Sequence, residues 1–414
     1  MDNLYFIGIG GIGMSALAQF FIKEGKNVSG SDQSKSLVTE KLENMGIEVN
    51  YYQNQSLPKD IDTVVYTVAI PDDHPELQDA KKRGIKTYTY PQMLGAVSKD
   101  KFTIAVSGTH GKTTTTAMSA DVLIDSGLEP TVVVGSLVKR FGSNFISGDS
   151  KYFLVEACEY KRSFLNISPN ILAITNIEED HLDYYRNLDD IKDAFRELSS
   201  KVPEDGYIVC DPSDINVKDV ISGLDVNIID YTKVPDMELA VFGNHNVKNA
   251  KVAYSIGKIL GLGDEEVKLS LKNFSGTWRR LEKKGVTKKG STVIDDYAHH
   301  PSEIRATLEA LRKEFQSKNI TVVFQPHLFS RTKIFLKDFS ESFKLADRVI
   351  VAPIYAAREK NDGSISNVDL ARLIDAEHAT SLEDIPSMID GDDVVVTVGA
   401  GDVYKVGDML LNEK

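Results

Sequence analysis

The sequence predicts an α/β protein built from three successive blocks with largely parallel sheets. Three observations carry that expectation. Strand-like apolar runs alternate with helix-like runs along the whole chain. Two glycine-rich loops each lie between such a strand and such a helix. The length, 414 residues, exceeds one typical domain, so two or three are expected.

The first block opens with an apolar run at 4–9 that ends in glycines, followed by helical spacing over 14–23. Residues 27–31 and 63–67 read as further strands. The block ends near Val97, and the polar stretch 98–101 is the first candidate linker. A strand at 102–106 starts the second block, and a helix is expected from Lys112 to about Ser126. Apolar runs at 152–156 and 171–175 each end in polar residues. Helical patterns follow over 188–199 and 247–260, and the second boundary falls near 273–276. The third block has strands near 292–295, 320–325, 348–351 and 394–398, with helices between. The expected domains are thus 1–97, 98–274 and 275–414.

Composition narrows the function. The chain carries 48 basic and 61 acidic residues, a net charge of −13. Duplex nucleic acid, whose binding rests on Lys/Arg neutralising phosphates, is therefore not an expected partner. Two cysteines far apart, Cys158 and Cys210, exclude a disulfide framework and suit a reducing cytoplasm. The start, MDNLYFIGIGGIG, lacks a basic n-region and is not expected to be a signal peptide. No apolar run approaches the roughly 20 residues that span a bilayer.

Gly8-Ile9-Gly10-Gly11-Ile12-Gly13 fits G-x-G-x-x-G between a strand and a helix. Glycines there permit a tight turn and let amides approach a diphosphate at the helix N-terminus. Asp32 closes the next strand, where an acid would hold a ribose. The motif indicates a diphosphate-bearing nucleotide without specifying a nicotinamide one. Ser107-Gly108-Thr109-His110-Gly111-Lys112-Thr113-Thr114 resembles a P-loop, although Val106 stands where the stricter pattern has its first glycine. Its amides would cradle phosphates, Lys112 would neutralise charge and Thr113 would offer a hydroxyl to Mg²⁺. A dehydrogenase needs the first loop only and a simple ATPase the second only. Together they point to an enzyme holding a diphosphate-bearing substrate in one domain and ATP in another.

Acids and histidines cluster at strand ends, where ligands bind in open α/β sheets. Glu156 ends the strand after the P-loop helix, as an Mg²⁺-binding acid would. His181, in Thr175-Asn176-Ile177-Glu178-Glu179-Asp180-His181, could hold a second cation or orient a phosphate. Asn246 and Asn249 suit an adenine edge or a phosphate, or cap a helix. Arg279-Arg280, Asp295-Asp296-Tyr297-Ala298-His299-His300 and Gln325-Pro326-His327-Leu328-Phe329-Ser330-Arg331 complete the set. His74 and His378 read as incidental. No zinc spacing occurs, so a hard, oxygen-bound Mg²⁺ is favoured. Cys158 reads as a small buried residue.

The motifs GIGGIGMS, GTHGKTTTT, TNIEEDHLDYY, HNVKNA, WRRLE, DDYAHHPSEI, FQPHLFSRT, PIYAARE and VGAGD, in this order, resemble those of the Mur ligases, the ATP-dependent amide-forming enzymes of bacterial cell-wall precursor synthesis. The resemblance runs from Gly8 to about Asp402. It implies a Rossmann-like UDP-sugar domain, a central P-loop ATPase and a Rossmann-like C-terminal domain. Within the family the chain is most similar to the branch that joins L-alanine to the carboxylate of UDP-N-acetylmuramate through an acyl phosphate. Attachment of a preformed tripeptide is the alternative inside the family. Outside it stand a nicotinamide-dependent oxidoreductase and a nucleotide-sensing module. The resemblance implies UDP-sugar contacts at Gly8, Gly10, Gly11, Gly13, Ser31 and Asp32. It implies ATP contacts at Gly108, Thr109, His110, Gly111, Lys112, Thr113, Thr114, Asn246, Asn249, Arg280 and Asp296. It places two Mg²⁺ ions at Thr113, Glu156 and His181. The catalytic set is Lys112, Glu156, His181, Arg280, Asp296, His299, His327 and Arg331. A cytoplasmic monomer or weak homodimer is expected.

Four departures from the family pattern are legible. Glu156-Ala157-Cys158-Glu159-Tyr160 stands where EADES is usual, and Lys161-Arg162 then bring cations to an acidic tract. The segment 225–245 is short. Arg196 lies about where some sister ligases carry a carbamylated lysine, so no carbamate is expected. Leu328 replaces a frequent arginine, which would favour a small apolar amino acid such as L-alanine, with glycine and L-serine weaker.

Overall fold

A computed structural model describes residues 1–51, 56–357, 359–361 and 363–412. The described chain contains three sheets and falls into two compact units. The first unit comprises 1–178, 188–236 and 250–272; the second comprises 179–187, 237–249 and 273–414.

The first unit holds two sheets. Five parallel strands follow the order Glu48–Asn50, Asn27–Ser31, Asn3–Ile7, Thr63–Tyr66, Lys86–Thr89. The chain builds outward from the central strand Asn3–Ile7 to one edge, then returns to its other side. That reversal opens a crevice at the carboxyl ends, where the glycine loop lies. The central strand is apolar on both faces because helices cover both. Tyr5 and Ile7 pack with Val64, Leu77 and Ala80 on one of them.

The second sheet has seven strands: Asn227–Asp230, Tyr207–Cys210, Ile171–Ile174, Phe102–Ser107, Tyr152–Glu156, Thr131–Val138 and Ser143–Ile146. Only the last pairs antiparallel. Helix Lys112–Asp125 packs on it with all but three of its residues buried. The sheet of the second unit runs Glu282–Val286, Thr292–Asp296, Val394–Val398, Ile320–Phe324, Arg348–Val351, Glu377–His378, antiparallel only at the first pair.

The expected strands are present to within two residues at each end, and the helix expected from Val247 begins at Asn244. The short edge strands were not named from sequence, and neither were two interior strands, Thr131–Val138 and Tyr207–Cys210. Glu282–Val286 reads EKKGV, charged and half-exposed, with no apolar alternation to reveal it. The stretch read as a linker is a tight turn. Helix Tyr90–Ser98 leaves three residues before strand Phe102–Ser107, and the Thr103 hydroxyl donates to Ser98 O. Among the described residues no helix is long and apolar enough to cross a membrane.

Candidate active site

The first glycine loop spends its early amides on itself. Gly8 and Ile9 N–H both donate to Ser31 O, Gly10 N–H donates to Asp32 Oδ2 at 2.7 Å, and Gly11 N–H donates to Gly8 O. The first helical bond is Ser15 N to Gly11 O, so the amides left to meet an anion belong to the first turn of helix Ile12–Lys23. One expectation is corrected here, and a second residue gains a structural partner. Ser31 is fully buried and its hydroxyl donates to Glu76 Oε2, so it braces the loop from beneath and does not face a ligand. Asp32 likewise supports the loop, accepting from Gly10 and Gln33 N–H. Glu76 also accepts from Tyr5, and burial pushes its carboxyl upward. Gly13 lies against the Tyr90 ring so closely that a Cβ would overlap it.

The P-loop repeats the arrangement with charge added. Thr109 N–H donates to Asn176 O and His110 N–H to Asn176 Oδ1, while His110 O accepts from Thr175 Oγ1 and Asn176 Nδ2. Thr109 Oγ1 exchanges hydrogen bonds with Glu178 backbone. The loop is thereby tied to the end of the next strand. Gly108 has φ +135°, and a Cβ there would strike Thr175 Oγ1. Lys112 Nζ donates to Gly108 O at 2.6 Å, Thr109 O at 2.9 Å and Glu159 Oε1 at 3.0 Å. Burial works against its charge, but Glu159 outweighs burial and holds the ammonium above its ordinary pKa. Thr113 Oγ1 donates to Glu156 Oε1 at 3.0 Å, and Gly135 N–H donates to Glu156 Oε2. A hydroxyl and a carboxylate fixed at a helix start supply hard oxygen donors, which suits Mg²⁺. Thr114, in the first helical turn, is buried.

The departures near Glu156 also resolve. Cys158 is exposed, contrary to the expected buried thiol, and Cys210 is buried. The tract keeps one acid at the loop, Glu159. Arg162 turns away to Asp190 at 2.8 Å and Glu197 at 3.6 Å, through left-handed backbone at Lys161 and Arg162. Arg196 pairs with Asp193 and Asp219.

The second unit contains the remaining expected residues. Asn249 Nδ2 donates to Asn246 Oδ1, Asn246 Nδ2 donates to Phe242 O, and both side chains are buried. Burial and Arg280 together push His245 down to about 4. Arg280 stacks over the Tyr297 ring. Asp296 accepts from Thr307 Oγ1 and Ala298 N–H, and burial outweighs Arg280 to push its carboxyl up to about 6. Its neighbour Asp295 instead pairs with buried Arg279, whose guanidinium also donates to Gly399 O and Gly401 O.

His299, His327 and Arg331 are brought together. The two imidazoles are 5.8 Å apart, and Arg331 Nη1 lies 3.1 Å from His327 Nδ1. Arg331 Nη2 donates to Asp180 Oδ1 at 3.0 Å, with both side chains nearly buried. Burial alone would raise Asp180, but His181 and Arg331 hold it well below the carboxylate range. His181 follows with a left-handed backbone, its N–H donating to Asp180 Oδ1. Burial lowers His299 to about 4. His299 Nδ1 lies 3.0 Å from Tyr297 O, a contact that requires hydrogen on Nδ1 and leaves Nε2 an acceptor. Leu328 is 2% exposed, so it packs inward and does not line an acceptor pocket, and the selectivity expected from it is withdrawn. Arg358 of the PIYAARE motif lies outside the described residues.

Reading by motif missed Glu159, Asp180, Asn176 and Arg279 as organising groups. All four lie inside the quoted motifs or the tract beside Glu156, and the signal available was a charged or amide residue next to an assigned one.

Three family models match in succession. That described as "Mur ligase family, catalytic domain" matches residues 3–102, "Mur ligase middle domain" 106–234, and "Mur ligase, glutamate ligase domain" 279–401. The UDP-N-acetylmuramate–L-alanine ligase of Caldanaerobacter subterraneus subsp. tengcongensis is 41% identical, over 99% of this chain and 97% of that protein. The enzyme of the same name from Clostridium acetobutylicum is 40% identical over 99% and 98%. Among solved structures, the UDP-N-acetylmuramate–alanine ligase of Thermotoga maritima superposes with TM-score 0.84 at 28% identity, covering 99% and 98%. A murein peptide ligase from Psychrobacter arcticus shares the fold, with TM-score 0.74 at 23% identity over the full length of both chains.

Proposed function

The chain belongs to the Mur ligase family, and on that premise we infer that it joins L-alanine to the carboxylate of UDP-N-acetylmuramate with hydrolysis of ATP to ADP and phosphate. The observation that carries this reading is the pair of phosphate loops of unlike charge, joined to full-length similarity with ligases of that activity. An oxidoreductase would leave the Lys112 loop without a task.

The roles divide by chemistry. The helix start at Ile12 holds the UDP diphosphate. The first-turn amides after Gly111 hold ATP phosphates, with Lys112 offsetting charge as the substrate carboxylate attacks the γ-phosphorus. Thr113, Glu156 and His181 would hold Mg²⁺, as two ions, and bound Mg²⁺ neutralises charge on the transferred phosphoryl group. Asn246, Asn249, Arg280 and Asp296 serve the nucleotide. At the acceptor side Arg331 is the permanent cation, since His299 is neutral near pH 7. Arg331 therefore anchors the amino-acid carboxylate. His299 Nε2, an acceptor by its tautomer, orients the amine. The amine nitrogen attacks the carbonyl carbon of the acyl phosphate, the C–N bond forms, the C–O bond breaks so that phosphate leaves with the carboxylate oxygen, and the nitrogen gives up a proton to solvent. The parts act as domains 1–97, 98–274 and 275–414, in a cytoplasmic monomer or weak homodimer.

An ADP-release panel tests the reading. With UDP-N-acetylmuramate and ATP saturating, release is expected to require an amine and to rank L-alanine above glycine and L-serine. That discrimination is modest, because a methyl or hydroxyl changes binding by about 1–3 kcal/mol. Preference for a tripeptide, or ADP release without UDP-N-acetylmuramate, would overturn it.

A further inference from the structure

An ammonium has three N–H donors, and those of Lys112 go to Gly108 O, Thr109 O and Glu159. A phosphate oxygen can reach this nitrogen only by replacing one of the three. The two carbonyls belong to the loop itself, which Asn176 and Thr175 fix from the neighbouring strand. Glu159 differs from them in two ways. It is a side chain that can rotate, at the start of a segment kinked by left-handed Lys161 and Arg162. It also carries a negative charge, which repels a phosphate competing for the same ammonium. The pair is tight, with Nζ to Oε2 at 2.9 Å and the carboxylate 3% exposed.

We propose that Glu159 is a phosphate surrogate for Lys112, a positioning residue whose carboxylate holds the ammonium in place and exchanges with the nucleotide phosphates. The exchange conserves charge at Lys112. One N–H···O⁻ bond breaks at Glu159 and one forms at phosphate, so no unpaired ammonium is left buried at any stage. The carboxylate weakens nucleotide affinity by competing, and it returns to Lys112 as ADP departs. This inference rests on the reading of Lys112 as the ATP lysine.

Calorimetric titration of ADP, with and without Mg²⁺, into wild type, Glu159→Gln, Glu159→Asp, Lys112→Ala and the Glu159→Gln/Lys112→Ala pair tests it. Glu159→Gln is expected to tighten ADP about tenfold, as a competing state is removed. Glu159→Asp, with a shorter reach, is expected to tighten it less. The Gln substitution is expected to change nothing in the Lys112→Ala background, because the effect acts through Lys112. A residue that only supports the fold would not tighten binding or show that coupling. Unchanged or weaker ADP binding in Glu159→Gln overturns the proposal, and weakening seen only with Mg²⁺ makes Glu159 a cation ligand instead. Should Glu159→Gln not fold, Glu159→Asp decides by the same sign. Wild type that binds no ADP removes the ATP reading of Lys112 itself, a separate outcome.

Discussion

The two glycine loops share a plan and differ in charge. Each ties its early amides to neighbouring strands and offers only the first helical turn to an anion. Around the first, the carboxylates that support it are turned to structural use, Asp32 and, through Ser31, Glu76. Around the second stand Lys112, Glu156 and Glu159. The difference follows from what each phosphate group must do. A diphosphate that stays intact needs a fixed position, which amides and a helix dipole supply. A phosphoryl group in transfer spreads charge over its oxygens and needs counter-charge already placed where that charge develops.

If charge is what separates the loops, removing it should cost most. Lys112→Ala is expected to lower kcat by about a thousandfold or more while the fold persists. Steady-state rates beside a circular-dichroism melt check this, and near-normal turnover by a folded variant would erase the distinction. The glycines sharpen it further. Gly108→Ala, which drives a Cβ into Thr175, should weaken ADP and leave UDP-N-acetylmuramate binding intact. Gly13→Ala, which overlaps Tyr90, should do the converse, by about tenfold for a strain of roughly 1–3 kcal/mol. Titration of each ligand into each variant reads the cross-over, and parallel losses would mean the loops are not independent.

The smallest effect concerns pH. As pH falls through the ordinary histidine pKa of about 6.5, His245 and His299 should stay neutral and accept a proton only near 4. The unfolded chain takes up those protons first, so each of the two withdraws stability as pH falls from about 6.5 toward 4. Imidazole C–H chemical shifts followed by NMR check both, and midpoints near 6.5 would show that burial does not set their charge.

Many of the buried strands and both loops were legible because buried parallel strands are continuous apolar runs and phosphate loops need glycine at fixed spacing, although Thr131–Val138 and Tyr207–Cys210, also apolar, were passed over. The edge strand Glu282–Val286 was not legible, since a solvated edge carries no periodic apolar signal. In the site, residue types were legible but their hydrogen-bond partners were not. Asp32 and Ser31 carry the expected chemistry, and the structure spends it on the loop's own amides and on Glu76. Leu328 follows His327, which lies beside His299 and Arg331, yet a left-handed turn at Leu328 sends its side chain inward. Sequence spacing cannot report such a reversal.

The central claim is that the Lys112 loop transfers phosphate to the carboxylate of the substrate seated on the first glycine loop. Turnover of UDP-N-acetylmuramate labelled with ¹⁸O in the lactyl carboxylate, with L-alanine and unlabelled ATP, tests it by mass spectrometry of the released phosphate. An acyl phosphate leaves its bridging oxygen on phosphorus, so the account predicts one ¹⁸O in each phosphate formed from fully labelled substrate. Phosphate free of ¹⁸O, with the amide still formed, would contradict it.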